Sequence, residues 1–190
     1  MILPIVAFGD PVLKKVAENI DANYPGLEKL IADMFDTMYN AKGVGLAAPQ
    51  IGKSIRLFIV DATPFSVDPE NDEEAALEGF KRTFINAKIT KESGKEWAFN
   101  EGCLSIPKIR EDVMRKSDLK ITYLDENFKE QTEEFSGLAA RIIQHEYDHI
   151  EGKLFTDRIS PLRKRLLQRK LSDISKGRID VDYKMKFPLK

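Results

Sequence analysis

The two histidines of this 190-residue chain stand four positions apart in one mostly apolar stretch, His145-Glu-Tyr-Asp-His149. That placement constrains the fold more than any other feature. Residues at i and i+4 share one helical face, so the run from Leu138 to about Glu151 is expected to form a helix that aims both imidazoles the same way. Ser136 stands where an N-cap belongs, and Gly152 where a helix closes. Rings among apolar neighbours are costly unless something satisfies them, and a metal ion would do so. Glu146, one residue along, would stand beside such an ion as a proton acceptor. The remaining elements are expected to pack around this helix.

Ahead of it, Leu27, Leu30, Ile31, Met34, Phe35 and Met38 recur at helical spacing and predict an N-terminal helix over about Pro25 to Asn40. Segments rich in β-branched and aromatic residues predict strands over Ile55–Val60, Thr83–Ile89, Glu96–Phe99, Leu119–Leu124 and Phe128–Phe135. A second amphipathic helix starts at Pro161, with Leu162, Leu166, Leu167, Leu171 and Ile174 on one side. Strands with helices segregated from them describe an α+β domain with antiparallel or mixed sheets around the histidine helix. No repeat or linker divides the chain, so residues 1–190 are read as one domain. Within it, residues 61–79 form an acidic insertion, read as a solvated loop without a special role, and residues 179–190 form a C-terminal extension whose alternation suggests a further strand.

Thirty basic against 31 acidic side chains leave a net charge of −1, so no global field favours DNA or a membrane surface. The N-terminus lacks a basic leader, and no stretch approaches the ~20 apolar residues of a membrane span. A soluble, cytoplasmic protein is expected. Basic residues gather around the last helix, at Arg158, Arg163, Lys164, Arg165, Arg169, Lys170, Lys176 and Arg178. A solvated face is the default for such charges, with ribosomal RNA the partner such a face could meet.

A catalytic metal needs a third protein ligand and an open position. The single cysteine, Cys103, could supply it, although a buried core thiol is the commoner fate of a free cysteine. It lies in Asn100-Glu-Gly-Cys-Leu-Ser-Ile-Pro107, where Gly102 permits an unusual backbone and Pro107 is expected to end regular pairing. A zinc protease with the same helix would take its last ligand downstream, from Asp157, Asp173 or beyond, since no histidine follows His149 and no glutamate follows Glu151. A closed, structural metal site is the other rival. Gly43-Val-Gly-Leu-Ala-Ala-Pro-Gln-Ile-Gly52 offers bare backbone to a bound chain, and Gln50 adds an amide donor. It is no phosphate loop, because position 47 carries alanine where that motif needs glycine.

Taken in order, Gly43 to Gln50, Glu101 to Ser105 and His145 to His149 resemble the three motifs of the peptide deformylases, G-x-G-x-A-A-x-Q, E-G-C-x-S and H-E-x-D-H, without a mismatch. The resemblance implies a hydrolase of N-terminal methionine processing in protein biosynthesis, which releases formate from N-formyl-methionyl peptides. It implies one divalent ion held by Cys103, His145 and His149 with a water, Fe(II) being favoured over Zn(II), Ni(II) or Co(II), and Glu146 as general base and acid. Gln50 and the Leu104 N–H would hold the oxyanion. Gly45 would pair with the substrate backbone, Val44, Phe99, Leu138 and Ile142 would line the methionine pocket, and Arg110 would reach the peptide beyond. An arginine at position 115 is implied to pair with Glu101.

Overall fold

Two long antiparallel strands, β4 (Lys81–Cys103) and β5 (Ile106–Leu124), organise the molecule. The structure, a computed structural model, describes residues 1–188. The strands belong to a five-stranded antiparallel sheet in the order β2 (Gly45–Ala47), β3 (Leu57–Asp61), β4, β5 and β6 (Glu130–Ser136). Register shifts between Ile85 and Lys88, Ile89 and Lys91, Ser93 and Glu96, and Gly102 and Cys103 interrupt the β4–β5 ladder. Such bulges bend a strand pair and raise its twist, which lets the sheet curve. Helix α3 (Gly137–Ile150) packs against β2, β3, β5 and β6, so the predicted histidine helix is central.

The apolar faces close on one another in three clusters. Ala140 and Ile143 of α3 meet Phe58, Phe84 and Ile121 of the sheet. Met34 and Met38 of α1 (Leu27–Asn40) meet Leu46, Ile59 and Ile85. Leu167, Leu171 and Ile174 of α4 (Pro161–Ser175) meet Cys103, Ile106 and Val113. At the C-terminus, β7 (Met185–Lys186) pairs in parallel with β1 (Ile5–Val6), a two-stranded sheet that fulfils the expected extra strand. No helix among the described residues is long and apolar enough to cross a membrane.

Four expectations need correction. The strands expected at Thr83–Ile89 and Glu96–Phe99 are one strand, because the polar Thr90-Lys-Glu-Ser-Gly-Lys95 between them carries no apolar signal, and that at Leu119–Leu124 is the end of β5, whose earlier part alternates charged with apolar residues. Pro107 does not end pairing. It sits within β5 between the partners Cys103–Ile106 and Gly102–Arg110, where the ladder requires no donor. Leu162 and Leu166 do not join the buried face of α4, being 67% and 64% exposed. The acidic insertion is also more than a solvated loop. It holds a 3₁₀ turn (Thr63–Ser66), the short helix α2 (Asp72–Ala75) capped by the Asn71 side chain, and a buried Leu77. Ser136 occupies the N-cap position of α3 but makes no capping bond. Instead Glu73 of the insertion accepts the Leu138 N–H at 2.7 Å.

Candidate metal centre

Three elements bring the chemistry together. His145 and His149 project from one face of α3, with ring centroids 5.1 Å apart. Cys103 ends β4, immediately before the Leu104-Ser105 turn into β5. The thiol lies 3.4 Å from His149 Nε2, and the ligand atoms of Cys103, His145 and His149 all lie within 4.8 Å of one another. Two donors bonded to one ion at about 2.0 and 2.3 Å would be separated by a distance close to that 3.4 Å. A thiolate and two imidazoles are a donor set that borderline and soft divalent ions accept. Burial holds His149 neutral, as a ligand must be. For His145, burial again works against charge, but hydrogen bonds to Cys103 and Glu101 outweigh it and raise its pKa. These residues fit a metal ion.

A buried ionic network holds the histidine in aim. Glu101 accepts from His145 Nδ1 at 2.9 Å, which leaves Nε2 for the metal side. The same carboxylate takes a fork from Arg115, at 2.6 and 2.9 Å, and a third contact from Arg141 at 2.9 Å. The expected Glu101–Arg115 pair is therefore present. Arg115 reaches on to Asp148 at 2.8 Å, and Asp148 is forked in turn by Arg158 at 2.5 and 2.6 Å. Burial would raise the Glu101 pKa, yet the bonds from Arg115 and His145 hold it well below the usual carboxylate range.

Glu146 is buried beside the histidines, and no group bonds its Oε2 among the described residues. Burial, with the charges of Glu101 and Asp148, pushes its pKa up to about 7, against the pull of His145 and Arg115. A carboxyl poised there can take and return a proton near neutral pH. Gly45 makes room for it, since a Cβ at that position would stand 2.4 Å from Glu146 Oε1. The glycine in β2 thus serves the acid as well as the bare backbone of an edge strand. Gln50 accepts the Ala47 N–H through Oε1 and turns Nε2 toward Cys103 Sγ at 3.5 Å and Ser105 Oγ at 3.4 Å.

A cleft of about 570 Å³ opens onto these groups. Val44, Phe99, Leu138 and Ile142 line it together, as do Gly45, Gln50, Leu104 and Glu146, and Arg110 lies at its exposed margin, bonded to Asn100 Oδ1 at 2.9 Å. His149 is 1% exposed and sits behind the cleft rather than on its wall. Every expected site residue is thus in or against one cavity.

A sequence model of the polypeptide deformylases matches residues 2–165. The chain belongs to this family. Peptide deformylases are metal-dependent hydrolases, in keeping with the Cys103, His145 and His149 donors. The chain is 61% identical to the peptide deformylase of Christiangramia forsetii over 99% of its own length and 97% of the relative's. It is 62% identical to that of Flavobacterium johnsoniae, over 98% and 96%. Among solved structures, the peptide deformylase from Legionella pneumophila superposes with a TM-score of 0.79 at 38% identity, covering 94% of this chain and 98% of that one. The Plasmodium falciparum enzyme gives 0.79 at 34%, over 91% and 95%.

Sequence reasoning missed several residues of this deformylase cleft. Arg141 and Asp148 carry the ionic network, and a signal was available in two charged residues within an apolar helix, Arg141 one turn before His145. Phe65 of the acidic insertion and Val181, Asp182 and Tyr183 of the C-terminal extension also line the cavity. Nothing in their spacing distinguishes them from loop residues.

Proposed function

We propose that this chain removes the N-formyl group from the formyl-methionyl end of newly made polypeptides in the cytoplasm, releasing formate. The observation that carries the reading is Glu146, buried with a free oxygen beside the thiol–imidazole triangle and at the floor of an apolar cleft. Cys103, His145 and His149 would hold one divalent ion, with Fe(II) the native ion by the resemblance and Zn(II), Ni(II) or Co(II) compatible with the same donors. When bound, such an ion supplies Lewis-acid polarisation of the formyl carbonyl and an acidified water.

The chain's own groups do the rest. Glu146 Oε2 takes the proton of the attacking water and returns it to the leaving amine. Gln50 Nε2 and the Leu104 N–H donate to the developing oxyanion. Gly45 lies in the edge strand β2, whose outer side can pair with an extended substrate backbone. Val44, Phe99, Leu138 and Ile142 take the methionine side chain, and Arg110 meets the peptide beyond it. A ribosomal surface remains the proposed docking partner for α4, although several of its expected basic residues serve internal pairs: Arg158 with Asp148, Arg163 with Glu111 and Lys164 with Asp157. Arg165, Arg169 and Lys170 stay exposed for it.

The test is kcat/KM over formyl-Met, formyl-norleucine, formyl-Asp and formyl-Lys peptides with the anaerobically metal-loaded protein. Methionine and norleucine are expected to be close and both far above the charged side chains, because an unpaired charge in an apolar slot costs several kcal/mol or more. Equal values for methionine and aspartate would remove the pocket assignment. Cleavage of internal peptide bonds without formate release would replace the deformylase reading by a protease.

A further inference from the structure

The C-terminal extension lies beyond the stretch matched to the family, yet it reaches the centre of the molecule. Its course is fixed at both levels of structure. Ile5 N–H donates to Lys184 O and Ala7 N–H to Lys186 O, both at 2.9 Å, in the parallel pairing of β1 with β7. Ile179, Met185 and Phe187 pack on the cluster that contains Cys103 and Ile106. Between these anchors the Tyr183 hydroxyl donates to the carbonyl of Leu104 at 2.7 Å.

Leu104 and Ser105 form the turn that joins β4 to β5, directly after Cys103. A turn carbonyl takes no part in the ladder and needs a partner when it is shielded from water. Tyr183 supplies that partner. The next carbonyl, of Ser105, is taken by the Phe8 N–H at 2.8 Å. On the other side, the Leu104 side chain lies where a Cβ on Gly43 would meet it at 2.8 Å. With the Gln50 Nε2 contact to Ser105 Oγ at 3.4 Å the turn is held at four points, and among the described residues only the Tyr183 bond acts directly on the Leu104 carbonyl.

From this geometry we infer that Tyr183 is a positioning residue of the active site: its hydroxyl fixes the Leu104-Ser105 turn so that the Leu104 N–H is presented to the reacting carbonyl. The inference rests on the deformylase reading above for the role of that N–H. Freed of the bond, the Leu104 carbonyl can rotate, and the preceding peptide shifts with it. A donor aimed at a transition state loses its effect when misplaced by a fraction of an ångström. The C-terminal extension thus completes the site from outside the family's matched stretch.

Tyr183→Phe keeps the ring and removes only the bond. The expected result has two parts. In the metal-loaded enzyme, kcat for a formyl-Met peptide falls about tenfold with KM within twofold, as for an interaction made only in the transition state. In the metal-free protein, amide hydrogen exchange at Leu104 and Ser105 accelerates about tenfold or more, while amides of β3 and α1 are unchanged. Lys184→Ala, an exposed side chain next door, should move neither readout. Unchanged exchange at the turn would overturn the inference, and so would accelerated exchange with an unchanged kcat. If the wild-type protein releases no formate, the deformylase reading falls, while the exchange arm still decides whether Tyr183 orders the turn.

Discussion

At the scale of single residues the site depends on division of labour along one helical turn. His145 and His149 offer nitrogen donors, while Glu146 between them is turned to the cleft with a pKa pushed up to about 7 by burial. Glu146→Gln keeps size and burial but cannot accept a proton. It should retain the fold and one equivalent of metal and lose about two to four orders of magnitude in kcat. Near-normal turnover in the metal-loaded variant would exclude Glu146 as the base. Cys103→Ser isolates the other half of the site. Serine keeps the shape but is a poor ligand for soft and borderline ions, so metal affinity should fall far more than thermal stability. One tightly held equivalent of metal in that variant would mean that Cys103 is only a core thiol.

At the scale of elements, the metal helix is braced from outside its own segment. Ser136 holds the N-cap position without a capping bond, Gly137 adopts φ +55°, and the Leu138 N–H in the first turn of α3 goes to Glu73 of the acidic insertion. A carboxylate there also faces the positive end of the helix dipole. Glu73→Ala should therefore lower stability by about 0.5–2 kcal/mol, the usual cost of a lost cap, whereas Glu78→Ala in the same insertion should not. Thermal unfolding of the two variants side by side tests it, and equal midpoints would show that the insertion does not cap the helix. The same contact explains what the sequence concealed. Helices α1, α3 and α4 are legible because their apolar residues recur locally. Cys103, His145 and His149 are legible because their residue types are rare in this chain. Glu73, Phe65 and Tyr183 lie in short or irregular segments and their partners lie 65, tens and 79 positions away, and no local period records such pairings. Leu162 and Leu166 show the reverse failure, since helical spacing identifies a face but not whether anything covers it.

At the scale of the whole molecule, the two ends of the chain are tied to the metal helix by charge as well as by packing. Asp157, in the turn after α3, pairs with Lys14 of the N-terminal arm and with Lys164 of α4. It also accepts the Leu154 N–H at 3.0 Å. Burial opposes its charge, but the two ammonium groups and that N–H outweigh it and hold the carboxyl at about 2. In the unfolded chain an aspartate titrates near about 3.9. Because the folded value is the lower one, the unfolded state takes up the proton first as pH falls. The contribution of Asp157 is therefore complete above pH ~4 and fades as the pH drops toward ~2. Asp157→Asn removes the charge while keeping an oxygen for Leu154. The gap in thermal midpoint between wild type and variant should be constant from pH 7 to 5, narrow below pH ~4 and nearly close by pH ~2. Loss of metal in acid strikes both proteins alike, so the difference isolates Asp157. A gap that persists undiminished at the lowest pH would show that the three segments are held there by packing and not by this charge.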